Sequence, residues 1–151
     1  MKKVWIALGI PLAVGGLASL LSGGMGAYKT YAQPPLSPPG WVFPVVWTVL
    51  YLLMGYSSYR ILTSPAEQGR KTKALTLYGA QLFVNFLWPL VFFGLQWYWA
   101  AFVVLLILWL LIFLTIWAFS KIDDTAADLL LPYILWVTFA GYLNLGVALL
   151  N

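Results

Sequence analysis

The chain has 151 residues, 63% of them hydrophobic and 18% aromatic, against eight basic and four acidic residues and a net charge of +4. It contains no cysteine and no histidine, which excludes disulfides, thiolate nucleophiles and iron–sulfur clusters, and removes the usual axial haem ligand, zinc ligand and neutral-pH general base. The longest polar segments, Gln33 to Gly40 and Thr63 to Thr72, are too short to form a soluble catalytic domain.

A membrane helix needs about 20 apolar residues at ~1.5 Å rise each. The uncharged stretches therefore predict five spans, over roughly 4–25, 41–62, 75–95, 98–119 and 127–149. The expected fold class is all-α: a five-transmembrane-helix bundle forming a single domain over residues 1–151. The first span follows Lys2-Lys3 and could be taken for a signal peptide, but its apolar run exceeds a usual h-region, so it is expected to be retained. Its glycines, Gly9, Gly15, Gly16, Gly23 and Gly24, suit close helix packing. The segment Tyr31 to Trp41 carries four prolines, Pro34, Pro35, Pro38 and Pro39. It is expected to be either a stiff lid over the bundle or a polyproline-like spacer that turns the chain.

On the second span Trp47 and Tyr51 lie one turn apart. The uncharged run from Ala74 to Ser120 holds the third and fourth spans with a tight turn between them. Gln81, Asn85, Trp88 and Phe92 are spaced i, i+4, i+7 and i+11, which aligns two amides and an indole on one stripe of the third. Asp123, Asp124, Thr125 and Asp128 read as caps and first-turn acids of the fifth. There Trp136, Ala140, Leu143 and Asn144 share a face, with Ala140 leaving a gap between larger groups. Pro11, Pro44, Pro89 and Pro132 predict kinks in the first, second, third and fifth spans.

The three stripes can converge on an aromatic-lined cavity carrying a few amides. Gln81, Asn85 and Asn144 serve equally well as interhelical hydrogen-bonding groups, which are common in membrane bundles. Trp5, Trp41, Trp97, Tyr98, Trp99 and Trp117, near span ends, fit an interfacial aromatic belt. Five spans place Lys2, Lys3, Arg60, Arg70, Lys71, Lys73 and Lys121 on the side of the N-terminus and leave Lys29 alone on the other. The positive-inside rule then expects a cytoplasmic N-terminus. The basic residues are spread along loop ends, so no nucleic-acid partner is expected. Ion-coupled transport is disfavoured because no ionisable side chain falls at mid-bilayer.

Gly23-Gly24-Met25-Gly26-Ala27-Tyr28, Pro38-Pro39-Gly40-Trp41 through Pro44 and Trp47, Leu50-Tyr51, Met54-Gly55-Tyr56, Gln81, Asn85, Trp88-Pro89, Phe92-Phe93-Gly94, Pro132-Tyr133, Trp136 and Leu143-Asn144 follow in order from the first span to the fifth. Together they resemble the translocator protein family, also called tryptophan-rich sensory proteins or peripheral benzodiazepine receptors. The resemblance implies a multi-pass protein of the cell membrane of a bacterium, a homodimer in the lipid bilayer that binds protoporphyrin and drug-like aromatic ligands between its helices. It implies no required cofactor; the tetrapyrrole enters as ligand. Matched position by position, the family pocket falls on Ala27, Phe43, Val46, Trp47, Trp99, Leu106, Trp136, Ala140 and Leu143, to which the stripes add Gln81, Asn85, Trp88 and Asn144. Trp47 and Trp136 match the pair associated with light- and oxygen-dependent porphyrin degradation, in which they would act on a reactive intermediate and not as acid or base. A receptor or sensor and a photo-oxidative enzyme are thus both expected classes, with a membrane carrier of porphyrins or lipids as the alternative. The sterol motif of the family needs a basic residue after its aromatic, and none follows Tyr142.

Overall fold

The computed structural model describes residues 2–22 and 33–151. Its helices are α1 (Lys2–Ser22), α2 (Val42–Leu62), α3 (Gln68–Pro89), a π-helical turn (Leu90–Gly94), α4 (Tyr98–Ser120), the short α5 (Asp124–Asp128) and α6 (Leu131–Leu150), with no strand among the described residues. Five helical stretches are long and apolar enough to cross a membrane, as the charge spacing predicts. The protein is an integral multi-pass membrane protein. α1 packs on α2 and α3, α3 on α4, and α4 on α6. The ring closes where Phe43 and Trp47 of α2 meet Trp136 and Tyr133 of α6 at centroid distances of 5.8 and 6.2 Å.

α4 is apolar all round, so its sequence carries no sign of which face looks inward. Packing decides it: Ala101, Leu105, Leu108, Ile112, Thr115 and Phe119 are buried, at alternating spacings of four and three that trace one stripe. Trp99, Val103, Leu106, Leu110, Phe113 and Trp117 point outward. On α2, Gly55 lets two backbones touch, since a Cβ there would lie 2.6 Å from the carbonyl oxygen of Ala7 and 2.7 Å from the Cα of Leu8.

Several boundaries differ from the sequence expectation. α3 begins at Gln68 and takes in Arg70, Lys71 and Lys73, because charge keeps these residues out of hydrocarbon without weakening their helix propensity. The fifth span is split at Leu129 and Leu130 into α5 and α6. Pro44 is the third residue of α2 and Pro132 the second of α6, where the missing N–H belongs to an unpaired first turn, so neither forces a kink. Pro89 instead hands α3 over to the π-turn, closed by Leu95 N–H donating to the Leu90 carbonyl at 2.9 Å. Gln96, at φ 56°, then reverses the chain into α4.

At the Arg60 end, the Arg60 guanidinium lies 3.1 Å from Asp123, the N-cap of α5. Ser57 donates to the Ala126 carbonyl at 2.6 Å, so α5 is docked on α2 through both a charge and a hydroxyl. At the opposite end, the proline-rich segment lies across α6. Pro34 occupies the space a side chain at Gly146 would fill, and Tyr142 donates to the Pro35 carbonyl at 2.6 Å.

Candidate ligand-binding site

A cavity of about 320 Å³ lies between α1, α2 and α3. α1 supplies Leu12 and the small residues Gly15, Gly16, Ala18 and Ser19, which leave space; α2 supplies Phe43, Pro44, Trp47, Thr48 and Tyr51; Asn85, Trp88, Pro89, Phe93 and Leu108 complete it. A small cavity of about 20 Å³ lies under the proline-rich segment, between Gln33, Ser37, Ala140, Leu143 and Asn144. Phe43, Trp88 and Phe93 border both.

The polar groups at the site are already engaged with one another. Tyr51 donates to Asn85 Oδ1 at 3.0 Å, Asn85 Nδ2 to the Tyr133 hydroxyl at 2.7 Å, and Tyr133 to Gln81 Oε1 at 2.7 Å. Gln81 Nε2 ends the chain against the Met54 sulfur at 4.0 Å. A second chain runs from Trp88 Nε1 to Asn144 Oδ1 at 2.9 Å and from Asn144 Nδ2 to the Tyr98 carbonyl at 2.9 Å. Each bond crosses between elements, so the three amides act as interhelical connectors, with Asn85 also facing the cavity. Trp47 stacks on Tyr51 at 5.5 Å and presents an indole face beside this polar chain.

The residues expected from sequence separate into groups. Phe43, Trp47, Asn85 and Trp88 meet in the large cavity, and Ala140, Leu143 and Asn144 line the small one. Gln81 is buried behind Asn85. Val46 packs against the core without reaching either cavity. Trp136 packs on Phe43 and Phe139; its Nε1 is buried and has no hydrogen-bond partner among the described residues. Trp99 and Leu106 face outward from α4, each 55% exposed, because the inward stripe of that helix passes through Ala101, Leu105 and Leu108 instead. Ala27 lies outside the described residues. Gly15 packs closely, against the Tyr51 ring, as the sequence suggests, but the sequence reading missed that Gly16 opens onto the cavity, and it missed Tyr133. The signal for Tyr133 was its position one turn from Trp136 and Val137 on the buried side of the fifth span.

A profile of the TspO/MBR family matches residues 7–150. The chain is 36% identical over 148 residues to the tryptophan-rich protein TspO of Chlorobaculum tepidum, covering 97% of this chain and 94% of that one. It is 40% identical over 124 residues to the tryptophan-rich sensory protein of Cereibacter sphaeroides, covering 82% and 76%. To the translocator protein of Bos taurus it is 37% identical over 118 residues, covering 78% and 70%.

Proposed function

Because this chain belongs to the TspO/MBR family, we propose that it is a receptor-like membrane protein that binds a flat, largely apolar tetrapyrrole and smaller aromatic molecules between its helices. One observation carries this: a cavity of about 320 Å³ walled by Phe43, Trp47, Tyr51, Trp88 and Phe93. Its volume falls at the lower end of the range of small-molecule sites, roughly 300–1,000 Å³, which suits a small aromatic ligand as it stands, and its aromatic faces suit π-stacking with flat rings of either size. Tyr51 and Asn85 give it a polar edge. The residues around it offer no carboxylate and no imidazole, so any chemistry there would be that of the excited ligand with oxygen, and Trp47 and Trp136 would serve as electron-rich neighbours.

The test is titration of the purified protein with protoporphyrin IX in detergent, first in darkness and then under light. Saturable binding in the dark is expected, with spectral change on illumination only when oxygen is present. Trp47→Phe should alter photoproduct formation more than dark affinity. Trp136→Phe should have the weaker effect, since its ring does not line the cavity and sits behind Phe43. Absence of saturable dark binding overturns the proposal, and turnover in darkness overturns its photochemical part.

A further inference from the structure

Two cavities of very different size share three walls, Phe43, Trp88 and Phe93. The larger, about 320 Å³, sits at the lower limit for a small-molecule site, enough for one or two fused rings. A four-ring macrocycle needs more. The smaller, about 20 Å³, holds little beyond a single water, but it lies directly across the aromatic wall and extends toward Ala140 and Leu143.

The three walls are not equally fixed. Trp88 is tied by its indole N–H to Asn144 at 2.9 Å and stacks on Phe92 at 5.0 Å. Phe93 is half-buried, packs on the edge of the core, meets Trp88 at 5.8 Å and Phe92 at 4.8 Å edge-on, and sits on the π-turn. A π-turn carries one more residue than the α-helical turn it replaces. Conversion to α geometry would swing Phe93 about 100° around the helix and out of the wall. Phe43 meets Trp136 edge-on at 5.8 Å, and its backbone N–H donates to the Gly40 carbonyl at 3.3 Å.

Building on the receptor reading, we propose that the two cavities are lobes of one ligand chamber, divided by Phe43 and Phe93, and that this partition determines the size of aromatic ligand the protein accepts. With the partition in place the α1 lobe takes a bicyclic aromatic. With Phe93 displaced, the two lobes and the space its ring vacates become one chamber, which admits a tetrapyrrole spanning from Gly16 to Ala140.

The test compares two probes, 1-aminonaphthalene and protoporphyrin IX, by fluorescence titration of the full chain in lipid nanodiscs. Phe93→Ala and Phe43→Ala are expected to raise the ratio of tetrapyrrole to bicyclic affinity at least tenfold. Phe93→Leu and Phe43→Leu, which keep the core filled, should raise it at least threefold and carry the test if the alanine variants do not fold. Ala140→Leu should lower tetrapyrrole affinity more than tenfold while changing that of the bicyclic probe less than threefold. A parent that binds both probes, with a ratio unmoved in the folded leucine variants, overturns the partition alone. A parent that binds neither overturns the receptor reading, and the partition with it.

Discussion

Two adjacent glycines in α1 show how finely the cavity is drawn. A Cβ on Gly15 would collide with the Tyr51 ring, whereas one on Gly16 would meet nothing within 4 Å. Gly15→Val should therefore displace Tyr51 from Asn85 and destabilise the bundle by about 1–3 kcal/mol, the usual cost of overpacking. Gly16→Leu should leave stability unchanged and fill the cavity, lowering protoporphyrin affinity at least tenfold. Thermal unfolding in detergent alongside the porphyrin titration checks the pair; equal stability of the two variants would mean that Tyr51 does not seat against Gly15. Ala140 tells the opposite story. In the sequence it leaves a gap between larger groups, but the space beside it is only about 20 Å³.

Among the elements, α3 and α6 are joined by directional hydrogen bonds, and the Tyr133 hydroxyl makes two of them, accepting from Asn85 and donating to Gln81. Tyr133→Phe removes both bonds and leaves Gln81 Oε1 and Asn85 Nδ2 without partners. Interhelical bonds in membrane bundles contribute about 0.6 kcal/mol on average, and two stranded buried groups bring the expected loss to about 1–2 kcal/mol, measurable by unfolding in SDS. No loss of stability would show that water or lipid replaces the bonds at no cost. The five spans and the Gln81–Asn85–Trp88 stripe were legible in the sequence because charge and amides are rare in hydrocarbon and therefore informative. The early start of α3 was not, since charge reports the membrane boundary and not the end of a helix. Neither the π-turn nor the inward face of α4 was visible: the first depends on how Pro89 and Gln96 close the chain, and the second on packing within a uniformly apolar segment. The α1 wall escaped for a related reason, because a glycine that leaves room for a ligand has the same sequence signature as one that admits another helix.

For the whole molecule, charge sits at the ends. Burial acts to raise the Asp123 carboxyl, but the Ala126 amide and the Arg60 guanidinium outweigh it and hold the group below the usual carboxylate range. The contribution of this contact is thus fully present above the ordinary carboxylate pKa of about 4 and is lost as pH falls through the lowered value. Stability measured across acid pH should decline more steeply in the parent than in Asp123→Asn, which keeps the cap but does not titrate there. Identical slopes would show that α5 docking is independent of the ion pair. Orientation follows from the same economy of charge. An impermeant thiol reagent applied to intact cells should label Ser37→Cys and spare Ser64→Cys, and the chain's lack of native cysteine makes the result direct. The reverse pattern would invert the topology.

The contact of Gly55 with Ala7 and Leu8 gives α1 and α2 a fulcrum. From Leu8 to Gly16 is about 12 Å along the axis at ~1.5 Å per residue, so a change of about 5° in the angle between the two helices would move the cavity wall by about 1 Å. Helices that tilt to match the hydrocarbon thickness change such angles for fractions of a kcal/mol per Å of mismatch. The pair therefore works as calipers whose jaws border the cavity, and the thickness of the surrounding membrane becomes one of the quantities that sets the gap.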